Sequence, residues 1–341
     1  MRVPEKVTSV EVAARAGVSR SAVSRVYTPG ASVSARTAEK VRRAADELGY
    51  RPNVLARAMK AGRSKIVGLV VAYLENQFYP DAIEKLSRRL QAEGYHALVF
   101  MASNTGPEID QVIAELLDYQ VDGIIMASVS MSSDLTRRCE AAGVPVVLFN
   151  RAQDDGKFSS VTSDNLSGGR RLAEFLLAGG HERIGYIAGW EGASTQRDRE
   201  AGFVGALRAA GRDLYARGDG AFHFDTAKDA AREVFSGTNH PDAVVVANDH
   251  MAFAVMDVLR FELGLSIPRD VSVVGYDDVL LSSWPAYDLT TVRQPSRRMA
   301  DACVEVFLDR LDPAACAPRH MRLTGDLIVR GSARKPKGWV Q

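Results

Sequence analysis

At 341 residues, 46% hydrophobic and 25% charged, the sequence has the length of two or three compact units and the composition of an ordinary globular protein. Its apolar runs stop short of the ~18–20 residues a membrane span needs, and its first ten residues lack the apolar stretch of about 7–15 residues found in a secretory signal. Its three cysteines, Cys139, Cys303 and Cys316, are scattered and odd in number, so a cytoplasmic protein without a disulfide framework, metal site or cofactor is expected.

The formal net charge of +1 is unevenly spread. Residues 1–65 carry 14 Lys and Arg against 5 Asp and Glu, whereas the remaining 276 carry 29 against 37. A basic head on an acidic body is the asymmetry of a chain whose one end meets a polyanion, although a solvated charged face gives the same count.

The head reads as helix, tight turn, helix. Thr8-Ser-Val-Glu11 forms a capping box, and Val10, Ala13 and Ala14 follow as an apolar stripe. Gly17 permits the left-handed stop, and Ser19 caps a second helix over roughly Arg20–Tyr27, with Val18 and Val23 as plugs between the two. Arg20 and Ser21 stand at the N-terminal end of this second helix, the end that meets base edges in a helix-turn-helix, and Ser24 and Arg25 follow. A third helix starts at a Ser34 cap, turns Val41, Ala45 and Leu48 inward, and closes at Gly49. Beyond Pro52, Asn53 caps a short segment, Val54–Met59, that is marginal as an isolated helix and would fold when DNA or a partner supports it. Met59 reads either as an apolar wedge for a minor-groove step or as an interdomain contact.

From Ile66 the pattern becomes alternating buried strands and amphipathic helices. Strands are predicted at 66–71, 97–101, 123–126, 145–149, 184–188, 243–247 and 271–275. Helices are predicted near 80–92, 109–119, 135–142, 168–177, 200–210, 226–235 and 251–262. The series restarts near residue 168, which predicts an α/β fold of two doubly wound parallel sheets, hence two lobes with a cleft beyond the carboxyl ends of the strands.

Catalytic signatures are missing: there is no GxxxxGK[ST] loop, no GxGxxG after a strand, no HExxH and no GxSxG. His181-Glu182 lacks a second histidine, and Asp277-Asp278 has no third ligand nearby in sequence. No enzyme activity is expected. The polar residues at strand ends read instead as binding groups: Asn248-Asp249, Asp277, and Arg199 at the opening of a helix, with a helix-cap role equally open for Asp249.

The run Val10–Arg25, then Ala45-Asp-Glu-Leu-Gly-Tyr-Arg-Pro-Asn53 and Ala56-Arg57, resembles the head of the lac repressor (LacI) family. The resemblance continues to about Ala333 through Val121-Asp-Gly123, Asp164-Asn165, Gly180-His-Glu-Arg-Ile184, Arg199-Glu-Ala-Gly-Phe203, Ala247-Asn-Asp249, Val274-Gly-Tyr-Asp277, Leu289-Thr-Thr-Val292 and Val329-Arg-Gly-Ser332. It implies a helix-turn-helix domain (1–52), a hinge helix (53–62) whose dimer mate pairs with it in the minor groove, and a body (63–341) similar to periplasmic binding proteins. The body's lobes are implied at about 65–164 with 293–323, and 165–292 with 324–333. The implied contacts with double-stranded operator DNA are Thr8, Ser19, Arg20, Ser21, Ser24, Arg25, Asn53, Ala56, Arg57 and Met59, where the family's usual wedge is leucine. The implied effector-binding residues are Phe78, Tyr79, Arg151, Arg199, Phe224, Asn248 and Asp277. Arg151 stands near a position that is often Asp, and reads as a contact to an acidic or phosphorylated effector or as a cation on the cleft rim.

The expectation is thus a homodimeric transcriptional regulator, a repressor, switched by a small carbohydrate-like effector. The alternatives are an activator or nucleobase-responsive corepressed regulator and, more distantly, a solute-binding receptor.

Overall fold

The computed structural model describes residues 7–28, 30–51, 63–102, 107–128, 137–139, 141–312 and 317–338. The expected hinge residues Asn53, Ala56, Arg57 and Met59 lie outside the described residues, as do residues 135, 136 and 140 of the helix expected at 135–142. The chain divides into two compact units, Met1–Lys65 and Ile66–Gln341.

The first unit is three helices: α1 (Ser9–Ala16), α2 (Arg20–Val26) and α3 (Ala35–Leu48). The capping box at Thr8 is formed in both directions, and Gly17 and Gly49 close α1 and α3 with left-handed φ values of 66° and 67°. Ser19 and Ser34 accept from Ala22 N and Thr37 N and so start α2 and α3. The small core holds Val12, Ala13, Val23, Val41, Ala44 and Ala45, with Val18 and Leu48 packed against it. The inner face of α1 is therefore Val12 and Ala13. Val10 is 56% exposed, which corrects the expected stripe. On a helix of two turns, one face holds only two or three positions, and sequence spacing alone fixes it poorly.

The second unit contains two six-stranded sheets. The first has the order β11-β5-β4-β3-β1-β2, from β1 (Ile66–Val71), β2 (His96–Met101), β3 (Gly123–Ala127), β4 (Val146–Phe149), β5 (Ser159–Ser163) and β11 (His320–Leu323), all parallel. The second has the order β12-β10-β9-β8-β6-β7, from β6 (Ile184–Ala188), β7 (Ala216–Asp219), β8 (Ala243–Val246), β9 (Ser272–Asp277), β10 (Thr290–Arg293) and β12 (Leu327–Ile328). Only β12 runs antiparallel in this sheet. The connecting helices are α4 (Phe78–Ala92), α5 (Pro107–Asp118), α6 (Asn165–Ala178), α7 (Ser194–Ala209), α8 (Phe224–Val234), α9 (Asp249–Asp257, continued by a wider turn at Val258–Glu262) and α10 (Ser296–Arg310). β3, β4 and β8 are buried along their whole length, as strands covered by helices on both faces must be.

In each sheet the connections reverse direction between two neighbouring strands, β1 and β3 in the first sheet and β6 and β8 in the second. Ligands of such sheets bind outside the carboxyl ends of the strands at that reversal. The chain passes between the sheets three times, after Ser163, after Arg293 and after Leu323.

Candidate functional site

In the head, the turn between α1 and α2 delivers Arg20 and Ser21 to the first turn of α2, both exposed. Arg20 and Arg25 make no ion pair among the described residues. Thr8 and Ser19 spend their hydroxyls on helix caps: Thr8 exchanges bonds with Glu11, and Ser19 accepts from Ala22 N at 3.2 Å and pairs with Ser21 Oγ at 2.9 Å. Arg36, Lys40, Arg42 and Arg43 point outward along α3. A positive face of this kind has the chemistry to meet phosphates, and exposed Arg and Ser side chains have the donors and acceptors to meet base edges.

In the body, the polar residues gather at the carboxyl ends of strands. Tyr73 and Asn76 follow β1, Ser128 follows β3, and Asn150 and Arg151 follow β4. In the second sheet Trp190 follows β6, Asn248 follows β8, Asp277 ends β9 and Gln294 follows β10. Ser128, Asn150, Asp277 and Asp278 all take positive φ (64°, 53°, 131° and 57°). Non-glycine residues hold such values at a cost of about 1–3 kcal/mol each, and they concentrate where side chains must be aimed.

Asp277 is the centre of this arrangement. It accepts from Gln294 Nε2 at 2.7 Å, from Asn76 Nδ2 at 3.2 Å and from Arg199 Nη2 at 3.4 Å. Asn76 belongs to the first sheet's lobe, so this carboxylate ties the two lobes together. Burial pushes its pKa up while Arg199 pulls it back. Arg199 is anchored on every side: Nε donates to Asn165 Oδ1 at 2.9 Å, Nη1 donates to the Ala247 carbonyl at 2.6 Å, and the guanidinium lies 3.7 Å from the Tyr276 ring centroid. It sits in the middle of α7 rather than opening a helix as expected. Asn248, not Asp249, caps α9, accepting from Met251 N at 2.9 Å. Asp249 is turned into the core, where it accepts from Ser282 Oγ (2.6 Å), Thr291 Oγ1 (2.6 Å) and Val279 N (3.1 Å).

Phe78 and Tyr79 open α4 and are buried. The Tyr79 hydroxyl meets Ser128 Oγ and receives Asn150 Nδ2 at 3.2 Å. The Asn76 side chain accepts from Phe78 N at 3.0 Å, so the Asn76-Gln77 step still turns into the helix. Arg151 is not on the rim: it is 2% exposed. Phe224 opens α8, with its ring 5.6 Å from that of His250.

Seven of the buried polar atoms without a partner among the described residues belong to this seam: Gln77 Oε1, Asn150 Oδ1, Arg151 Nε and Nη1, Asn248 Nδ2, His250 Nε2 and Gln294 Oε1. Asn76, Asn150, Asn165, Trp190, His250 and Gln294 were missed as site residues. Most of them stand within two residues of a strand's end, which is a signal the sequence does carry.

Three helices presenting a basic reading face, joined in one chain to a pair of parallel sheets whose strand ends converge on a polar seam, define a DNA-reading regulator with a ligand-binding body. Residues 10–53 match the model described as bacterial regulatory proteins, lacI family, and residues 173–333 match the periplasmic binding protein-like domain. The ribose operon repressor of Escherichia coli (strain K12) is 30% identical over 333 residues, 96% of this chain and 99% of that protein. A lac repressor dimer bound to operator and the anti-inducer ONPF superposes with a TM-score of 0.86 at 28% identity, over 96% of this chain and 99% of that one. A transcriptional regulator CelR–cellobiose complex superposes at 0.73 with 32% identity, over 96% and 100%. The chain belongs to the lacI family of bacterial regulatory proteins: it is a DNA-binding transcriptional regulator and not an enzyme.

Proposed function

We propose that the chain is a cytoplasmic, homodimeric repressor whose operator affinity is set by a small polyhydroxylated effector held between the lobes. The observation that carries this reading is the set of unpartnered donors and acceptors along the interlobe seam, around a carboxylate already shared between the two lobes. Buried polar groups are costly without partners, and a mixed set of donors and acceptors is the complement of sugar hydroxyls. Related proteins bound to cellobiose, or named for a ribose operon, fit the same chemistry. The lac repressor relative is a dimer on its operator, and two copies of this head would read a two-fold site in the same way. Among the described residues no helix is long and apolar enough to cross a membrane.

Effector binding shifts operator affinity only by its differential affinity for the two lobe arrangements. The test is a fluorescence-anisotropy titration of the full chain on an operator selected from random duplexes, repeated with a panel of sugars, sugar derivatives and nucleobases. Operator affinity is expected to change with one of them in wild type but not in Asp277→Asn. Arg20→Ala is expected to lose about 1–3 kcal/mol on the selected site and to flatten its preference over scrambled duplex. An Arg20→Ala protein as selective as wild type would refute the base-reading role, and a panel without effect on operator affinity would refute the switch.

A further inference from the structure

Asp278, the second member of the acidic pair that ends β9, takes no part in the cleft, yet its side chain is only 5% exposed. Its two carboxyl oxygens go to different arginines: Oδ2 accepts from Arg293 Nε and Oδ1 from Arg330 Nη2, each at 2.6 Å. Arg293 is the last residue of β10, where the chain leaves the second sheet for the first. Arg330 stands two residues past β12, where the chain has returned. Arg330 is itself fixed, its N donating to Thr290 Oγ1 at 2.9 Å and its Nη1 to the Leu289 carbonyl at 2.7 Å.

Asp277 reaches the remaining passages. Gln294, the residue after Arg293, donates to it twice, from N to its carbonyl at 3.0 Å and from Nε2 to its side chain at 2.7 Å. Arg199 joins Asp277 to Asn165, and Asn165 Nδ2 donates to the Ser163 carbonyl at 3.0 Å across the first passage. Two adjacent carboxylates at one strand end thus hold all three passages between the sheets. Hinges are a few residues at the ends of elements that absorb the backbone change of a lobe movement. A carboxylate shared by two guanidinium groups in a largely buried place leaves both uncompensated when it is lost, so these pins are not free to slip.

We propose that Asp278 is a positioning residue: by pinning Arg293 and Arg330 it locks the second and third passages to the strand end that carries Asp277. The cleft carboxylate and the joint between the lobes then move as one unit, and the lock sets the balance between lobe arrangements. This rests on the reading that lobe arrangement governs operator affinity.

The test uses the full chain. Asn tolerates a left-handed backbone as Asp does, so Asp278→Asn removes the charge at φ 57° with little strain. Arg293→Met removes one partner from a half-exposed position, and the double variant completes a cycle. Arg232→Met, which breaks an exposed ion pair with Glu262, is the control. Hydrogen exchange reads the lock without any effector. The amides of Arg293 and Gln294, held by the carbonyls of Asp326 and Asp277, are expected to exchange about tenfold or more faster in both single variants, with β3 and β4 unchanged. Anisotropy on the selected operator duplex reads the lobe balance. Each single variant is expected to shift operator affinity by about threefold or more, the double variant no further than the larger single, and the control not at all.

Wild-type exchange at Arg293 and Gln294, or an equal rise in β3 and β4, would mark a pair that only stabilises the fold and would overturn the inference, as would additive shifts. If Asp278→Asn does not fold, Arg293→Met and Arg293→Lys carry the comparison, the lysine being expected to restore part of the wild-type exchange and operator affinity. Raised exchange beside unmoved operator affinity, in a protein whose operator affinity responds to the panel of sugars and nucleobases, overturns the lock alone. If the panel too is without effect, the effector reading falls with it.

Discussion

Asp249 shows how far a side chain's surroundings can move its chemistry. Burial and the nearby Asp277 push its pKa up to about 7, against the lowering effect of hydrogen bonds from Ser282, Thr291 and Val279. An unfolded aspartate titrates near ~3.9. Between about pH 4 and pH 7 the folded chain therefore holds a proton that the unfolded chain has released. The sign follows: this residue's contribution is fully present below pH 4, falls as pH rises through the window, and is lost above about 7. Thermal melts at pH 5 and pH 8 are expected to show a larger loss for wild type than for Asp249→Asn, by on the order of a few kcal/mol at most. A wild type that gains stability relative to Asp249→Asn over that interval would contradict the sign. None of this was readable from the chain order, because Asp249's partners lie 30 to 42 residues away. Arg199, Asn248 and Asp277 were legible because each lies in a short marker and two of them end an apolar strand. Arg151 was legible as a cation near the cleft but not as a buried one, since its burial depends on a second lobe built from residues beyond 164.

At the level of elements, α6 and α7 meet more closely than most helices do, and two glycines allow it. A Cβ on Gly169 would stand 2.0 Å from the Arg199 carbonyl oxygen, and one on Gly202 would stand 2.0 Å from that of Leu166. Neither contact involves a flexible side-chain tip, so the helices must separate to admit a methyl group. Gly202→Ala is expected to cost about 1–3 kcal/mol as an overpacking change. Because Arg199 projects from the same helix, it is also expected to weaken effector binding more than a comparable loss of stability elsewhere does. Denaturant melts and ligand titrations of Gly202→Ala check both, and unchanged values in both would show that the helix pair yields freely. Sequence patterning missed five strands and one helix: β5, β7, β10 and β11 are polar or lie at a sheet's edge, β12 is two residues long, and α10 went unread although Met299, Cys303, Val306 and Phe307 line its buried face. β5 is buried although four of its five residues carry hydroxyls, and Ser160 and Ser163 spend theirs on His320 and Tyr276. Hydrophobic periodicity does not register a strand satisfied in this way. The strands that were legible, such as β3, β4 and β8, are those that meet burial with continuous apolar side chains.

For the molecule as a whole, the three passages between the sheets tie any change in one lobe's position to the other. The second and third passages lie against each other: Arg293 N donates to the Asp326 carbonyl at 2.7 Å, and a Cβ on Gly325 would come within 1.7 Å of the Arg293 carbonyl oxygen. Interlobe bonds at Asp277 and at Ser194 sit on the cleft side of this joint. A ligand that completes the seam therefore favours one lobe arrangement, and the question for the whole chain is whether DNA bound by the head acts on the same equilibrium. If both act on a single equilibrium, the coupling is reciprocal: the factor by which effector changes operator affinity equals the factor by which operator changes effector affinity. Allosteric couplings are typically about 5- to 150-fold. Titrating effector into the free protein and into the protein saturated with a selected operator duplex, at one fixed ionic strength, measures the second factor. Anisotropy with and without saturating effector measures the first. The two are expected to agree within error, and Asp277→Asn is expected to bring both towards one. Fixing the salt matters because phosphate contacts by the head release counterions and make operator affinity steeply salt-dependent. An effector affinity indifferent to operator, in a protein whose operator affinity responds to effector, is thermodynamically inadmissible for one linked equilibrium, and would locate the response in a second binding site.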